Sequence, residues 1–221
     1  NSTNRFVIFV GIKAIRVILL SMTRKIKVLS SEEGYNLAAK YYDEKEKYLN
    51  SFEQGKLIPL LGDVADKKVL DVGAGTGRIA AYLAKRGAKV IALDVSEKML
   101  EMIKNKKIQT IVGDAEDLPF ENNTFDIVVA AFLVVHLKDP TKFFDEVYRV
   151  LKDGGVFVVT NINQKEPPEV KAEKGEVKIE SFYHRPEKVR EILESLAFGI
   201  ENEVFISKND VWVNQIVLAR K

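Results

Sequence analysis

The stretch Val69-Leu70-Asp71-Val72-Gly73-Ala74-Gly75-Thr76-Gly77-Arg78 decides how this chain is read. A short apolar run ends in glycines at alternate positions, and helix-forming residues follow. A glycine backbone turns sharply and lets a ligand approach without meeting a Cβ. The helix behind such a turn offers unpaired backbone N–H groups. The pattern predicts a buried strand, a loop that faces a ligand, and a helix over residues 78–86 stopped by Gly87. Gly73, Ala74, Gly75 and Gly77 are the candidate ligand-lining positions. Asp71, at the strand end, can orient the loop or face a ligand ammonium. The frame 75–80 also satisfies the loose G-x-G-x-x-G/A dinucleotide pattern, so the loop alone does not choose its ligand.

Outward from this loop, strand and helix signals alternate, as in a parallel α/β sheet. Upstream, residues 32–52 read as one helix, with Leu37, Ala38, Tyr41 and Tyr42 at helical spacing. Downstream, strands are expected at 90–93, 108–112, 125–131 and 156–160. Ser96 is placed to cap a helix, and a helix over 140–151 opens with Pro140. Residues 161–181 are polar and contain Pro167 and Pro168, so they read as a loop, part of a lid over 161–184. A helix at 186–196 precedes strands at 200–206 and 211–219, joined through Lys208-Asn209-Asp210. Five parallel strands closed by a C-terminal hairpin, with helices on both faces, form a Rossmann-like seven-stranded sheet. On this reading residues 28–221 form one domain.

Composition narrows the chemistry. The chain has 221 residues, 46% of them hydrophobic, enough for a substantial core. No cysteine is present, which excludes disulfides, thiolate metal sites and cysteine nucleophiles, and only His136 and His184 represent histidine. No metal site is expected. Of the 34 basic residues six lie in 1–27, which holds no acid, so the rest carries 28 against 32 acidic residues, a net of −4. A mildly acidic body is a poor platform for broad nucleic-acid contact. The basic, apolar arm 1–27 is too short and too interrupted by charge for a stable membrane span. It reads as an added element packing on the body, as an extension ahead of a start at Met22, or as a membrane-surface or targeting segment. A cytoplasmic setting fits the composition, and nothing in the sequence speaks to oligomeric state.

Two partners strengthen the glycine loop. Asp94 ends the second strand, 19 positions after Gly75, where a carboxylate can accept from both hydroxyls of a ribose. Gly113-Asp114-Ala115-Glu116-Asp117-Leu118-Pro119-Phe120 follows the third strand, and Phe125-Asp126-Ile127-Val128 comes next. These motifs resemble those of the type 11 S-adenosylmethionine-dependent methyltransferases, a class I group that includes quinone-biosynthesis C-methyltransferases. Asp145-Glu146-Val147-Tyr148-Arg149-Val150-Leu151-Lys152-Asp153-Gly154-Gly155 and Ala39-Lys40-Tyr41-Tyr42-Asp43 are similar to the family's pattern as well. The resemblance extends over residues 35–219. It departs from the family at Val135, where the family often carries a first histidine before His136, and residues 161–184 have no counterpart.

The resemblance implies a seven-stranded fold, S-adenosyl-L-methionine as cofactor, and methyl transfer by in-line displacement. It gives Asp114 the adenine amino group and the Ala115 N–H an adenine ring nitrogen. Tyr42 and Phe132 are candidates to hold the sulfonium by cation–π attraction. His136 follows the fourth strand on the cofactor side and is the candidate base, or else a local cap. Tyr183 and His184 either line the acceptor pocket or sit in a solvated loop. Arg78 either meets the methionine carboxylate or stays at the helix surface. The acceptor is expected to be a small molecule, with protein and tRNA left open. An Asn-Pro-Pro-Tyr or Asp-Pro-Pro-Tyr motif, which would suit an exocyclic base amine, does not follow the fourth strand. The competing readings are an NAD-dependent oxidoreductase and a non-catalytic module that keeps the cofactor pocket.

Overall fold

The structure is a computed structural model that describes residues 27–221. The arm assigned to 1–27 lies outside the described residues except for Lys27. Seven strands form one sheet in the order β4-β3-β2-β5-β6-β10-β9. They are β2 (Lys68–Val72), β3 (Lys89–Asp94), β4 (Gln109–Val112), β5 (Phe125–Ala130), β6 (Leu151–Ile162), β9 (Gly199–Lys208) and β10 (Val211–Arg220). Strands β2 to β6 pair in parallel, and β10 runs antiparallel to both β6 and β9. The five-plus-hairpin sheet expected from the sequence is therefore present. The hairpin turns at Asn209 and Asp210, both with positive φ (51° and 62°), the backbone that short hairpin loops demand.

Strand periodicity decides which helices cover which face. Leu70, Val72, Val128, Ala130 and Phe157 point to one side, where Phe143, Phe144 and Val147 of α6 (Thr141–Val150) and Val189 of α7 (Pro186–Ser195) meet them. Val69, Ile127, Val129 and Val158 point to the other. There they meet Leu57 of α3 (Leu57–Leu60) and Ile79 and Leu83 of α4 (Arg78–Lys85). Successive strand residues thus feed two separate cores.

Two regions differ from the sequence reading. The single helix expected over 32–52 is two, α1 (Ser31–Tyr42) and α2 (Glu46–Glu53), separated by a 3-10 turn at Asp43–Lys45. Ser30 caps α1 by accepting from the Glu33 N–H at 3.2 Å. The segment read as a polar loop contains β7 (Glu169–Ala172) and β8 (Gly175–Ile179), an antiparallel pair. Its outer strand β8 pairs in parallel with β1 (Val28–Leu29). Val170 and Ile179 close a small core with Ala38 of α1. Contact is close because Gly34 faces Ile179: a Cβ there would lie 2.6 Å from Ile179 Cγ1.

Candidate active site

The loop after β2 opens a cleft above the carboxyl ends of β2, β3 and β5, where open parallel sheets bind ligands. Gly75 has φ +56°, and a Cβ built on it would meet nothing nearer than Met99 Cε at 3.8 Å. A side chain there would enter the cleft. Gly77 has φ +82°, and its Cβ would stand 2.7 Å from Ile103 Cγ1, so the helix start can close only on glycine. Asp71 is buried beneath the loop, and its Oδ2 accepts from the Ala80 N–H at 3.0 Å. Burial pushes its carboxyl up to about 7, against the pull of the Ala80 N–H and the Arg78 charge.

Asp94 serves the loop as well as the cleft. One carboxylate oxygen accepts from Gly75 N–H and the other from Ser96 N–H, each at 2.8 Å. Ser96 also caps the short helix α5 (Glu97–Leu100), accepting from Met99 N–H at 3.2 Å. Its hydroxyl donates to Asn36 Oδ1 at 2.8 Å, which ties α1 to the end of β3. Burial raises the Asp94 carboxyl above its usual range, and the Ser96, Gly75 and Val95 N–H groups counter it.

The cleft has two connected lobes of about 300 and 350 Å³. The first is walled by the glycine loop, Asp71, Arg78, Tyr42 and Phe132. The second holds Asp94, Asp114, Ala115, Met99, Tyr35 and His136, and it shares Gly73, Gly75, Tyr42 and Phe132 with the first. Ten sequence-nominated cofactor positions thus converge on this cleft: Tyr42, Asp71, Gly73, Ala74, Gly75, Gly77, Asp94, Asp114, Ala115 and Phe132. Phe132 holds φ +63°, costly for a bulky residue, with its N–H donating to Thr160 Oγ1 at 2.8 Å. Its ring meets Phe52 edge-on at 6.2 Å, and the Arg78 guanidinium lies 6.0 Å from its centroid. Arg78 grips buried Glu53 through two bonds of 2.9 and 2.6 Å.

His136 lies in the second lobe, on a 3-10 turn after β5. Its Nδ1 lies 2.9 Å from the Glu180 carbonyl and its Nε2 lies 2.8 Å from Tyr35 Oη. A carbonyl can only accept, so Nδ1 carries the proton and neutral Nε2 accepts from the Tyr35 hydroxyl. Burial lowers the imidazole below its ordinary value, and the Glu180 carbonyl opposes the shift.

Tyr183 and His184 are not brought into the cleft, which corrects the expectation that they line it. His184 is buried, and its Nε2 donates to the Leu137 carbonyl at 2.8 Å. Tyr183 is exposed beside Trp212, with ring centroids 6.3 Å apart. The residues between them and the hairpin have another use. The Glu180 carbonyl, the Phe182 N–H (to Val135 O, 2.7 Å) and His184 successively clasp the turn that carries His136. Tyr35, Glu53 and Glu180 were not nominated from sequence. Tyr35 stands seven residues before Tyr42, a spacing that shares a helix face and was the available signal. No cluster of metal-ligating side chains occurs among the described residues.

The fold is similar to that of S-adenosylmethionine-dependent methyltransferases of known structure. Residues 70–159 match the family model described as methyltransferase domain. A demethylmenaquinone methyltransferase of Clavibacter sepedonicus is 39% identical over 113 residues, 49% of this chain and 46% of that protein. An uncharacterized methyltransferase of Mycobacterium tuberculosis is 36% identical over 115 residues, 48% of this chain and 47% of that protein. The chain thus spans about half the length of the curated relatives it matches. An S-adenosylmethionine-dependent methyltransferase from Mesorhizobium loti superposes with a TM-score of 0.65 at 20% identity, covering 76% of this chain and 97% of that one. Magnesium protoporphyrin IX methyltransferase from Synechocystis, solved with bound S-adenosylhomocysteine, superposes at 0.63 and 17% identity, covering 82% and 87%. These two likenesses concern the fold.

Proposed function

We propose that the chain transfers a methyl group from S-adenosyl-L-methionine to a small, ring-bearing acceptor, with a reduced quinone as the leading candidate. The cofactor fit rests on the open approach at Gly75 and the carboxylates Asp94 and Asp114. In this reading the ribose hydroxyls meet Asp94, the adenine meets Asp114 and the Ala115 N–H, and the methionine end meets the glycine loop and Asp71. The bound cofactor supplies an electrophilic methyl on a sulfonium, whose leaving thioether needs no acid. The protein aligns the partners and excludes water. Tyr42 and Phe132 present aromatic faces to the cation.

One observation carries the acceptor reading. A side chamber shares Tyr35, Tyr42, Leu49, Phe132 and His136 with the cleft and is otherwise walled mainly by Phe52, Val135, Ile162, Pro168 and Val170. Its polar fittings are sparse, and one of them, Gln164 Nε2, is buried without a partner. The chamber itself measures about 60 Å³, so a flat molecule carrying an oxygen would reach into it with one edge and lie mainly in the adjoining 350 Å³ lobe. The demethylmenaquinone methyltransferases among the relatives agree with such an acceptor. An oxidised quinone is itself electrophilic, so the nucleophile must be the hydroquinone. The test is transfer of a tritiated methyl from S-adenosylmethionine to 1,4-naphthohydroquinone, against bulk tRNA and a protein extract. Label in the hydroquinone product supports the reading. Label only in tRNA or protein overturns it.

A further inference from the structure

Tyr35 and His136 stand together in the second lobe, from elements 101 residues apart in sequence. On the reading that the acceptor is a hydroxyl-bearing ring, we propose that they act as one proton-accepting pair. Tyr35 Oη takes the acceptor's hydroxyl proton while passing its own to His136 Nε2. Three observations carry this. The Tyr35 hydroxyl is 2.8 Å from a nitrogen that can only be the acceptor, because Nδ1 is committed to the Glu180 carbonyl at 2.9 Å. Tyr35 borders both the cofactor lobe and the apolar chamber, the two spaces that cofactor and acceptor would fill on that reading. Both rings are held rigidly: they meet edge-on at 5.2 Å, Tyr42 packs on Tyr35 at 5.7 Å, and the 180–184 segment clasps the His136 turn.

The step balances. The acceptor O–H breaks as its proton moves to Tyr35 Oη, and the Tyr35 O–H breaks as that proton moves to His136 Nε2. The electron pair released on the acceptor forms the bond to the methyl carbon, and the S–C pair goes to sulfur. If a ring carbon is the nucleophile, the pair reaches it through the ring. Its C–H proton then returns to the oxygen as aromaticity is restored. In either case one proton remains on His136. Positive charge leaves sulfur as it arrives on imidazole, so the buried site keeps its total charge and the usual cost of a buried imidazolium is offset. The Glu180 carbonyl accepts from Nδ1 in both states. The other ionisable groups bordering this lobe are Tyr42 on α1, Asp94 at the end of β3, Asp114 and Glu116 after β4, and Glu32 and Glu180 at the rim. In the resting state burial holds Tyr35 well above its usual value, so its hydroxyl is neutral and donating.

The experiment uses the full chain and 4-nitrophenol, whose colour reports loss of its proton independently of methyl transfer. The probe is titrated below its own solution pKa, with and without saturating S-adenosylhomocysteine. Wild-type protein should bind it as the yellow phenolate. Tyr35→Phe and His136→Asn should lower the phenolate formed at least about tenfold, a loss of one pKa unit or more. Phe keeps the aromatic contact with Tyr42, so its effect reads the hydroxyl alone. Absence of binding, a bound probe that stays neutral in wild type, or equal phenolate in either variant overturns the pair. The acceptor reading fails separately: phenolate formation without methyl transfer to 1,4-naphthohydroquinone leaves the pair standing and removes the hydroquinone.

Discussion

Asp71 is the residue at which the proposed cofactor binding would couple to protons. Its carboxyl is pushed up to about 7 by burial. A raised carboxylate means the folded state holds its proton more tightly than the unfolded chain does. The resulting stability is present at acid pH and is lost as pH rises through about 7. The thermal midpoint of the ligand-free protein should therefore carry a downward component between about pH 4 and about pH 7, and Asp71→Asn should flatten it. A cationic ammonium beside Asp71 would favour the carboxylate. S-adenosylhomocysteine binding near neutral pH should then release up to about one proton, measured by calorimetry in buffers of different ionisation enthalpy. Asp71→Asn should abolish the release; an unchanged release would remove Asp71 from the ammonium site. Asp94 acts differently, because its oxygens already hold the Gly75 and Ser96 N–H groups. Asp94→Ala removes charge-assisted bonds worth about 1.5–3 kcal/mol. Binding of S-adenosylhomocysteine should weaken about ten- to a hundred-fold, with some loss of thermal stability as the loop loosens. Calorimetry beside a melting curve checks both.

At the scale of elements, the close seat of α1 on β8 positions the residues that border the cleft. Gly34→Val would place new atoms against Ile179, whose Cγ1 already lies 2.6 Å from a Cβ at that position. Overpacking of this kind costs about 1–3 kcal/mol, and α1 should be displaced. Adding Ile179→Ala should restore part of the melting temperature; a double variant no better than Gly34→Val would mean the seat is not the cause. The same packing explains what could be read from sequence. Strands β2 and β5 announced themselves through dense apolar runs, each with a single aspartate inside it, because both faces are covered by helices. The β7–β8 hairpin covers only α1 and exposes its other face, so charges and Pro167–Pro168 hid its alternation of Val170, Ala172, Val177 and Ile179. The break after Tyr42 carries neither glycine nor proline, and a continuous helix was the natural reading. Tyr35 was missed for a different reason: its meaning lies in a bond to a residue brought near only by the fold.

Across the whole molecule, the proposed cofactor half was legible because its backbone turns and its candidate contacts both fall on short stretches at the ends of β2, β3 and β4. The proposed acceptor half draws on α1, α2, the His136 turn and the segment after β6, which no local pattern joins. The central claim is that this sheet and loop hold S-adenosylmethionine and not a nicotinamide dinucleotide. The most direct measurement is equilibrium calorimetry of the full chain with S-adenosylhomocysteine and, separately, with NAD, repeated on Gly75→Val. A valine at Gly75 would occupy the cleft and strain a backbone at φ +56°. The account predicts saturable one-to-one binding of S-adenosylhomocysteine, no saturable binding of NAD, and loss of the former in Gly75→Val. Saturable binding of NAD alone, or S-adenosylhomocysteine bound equally by wild type and Gly75→Val, would contradict it.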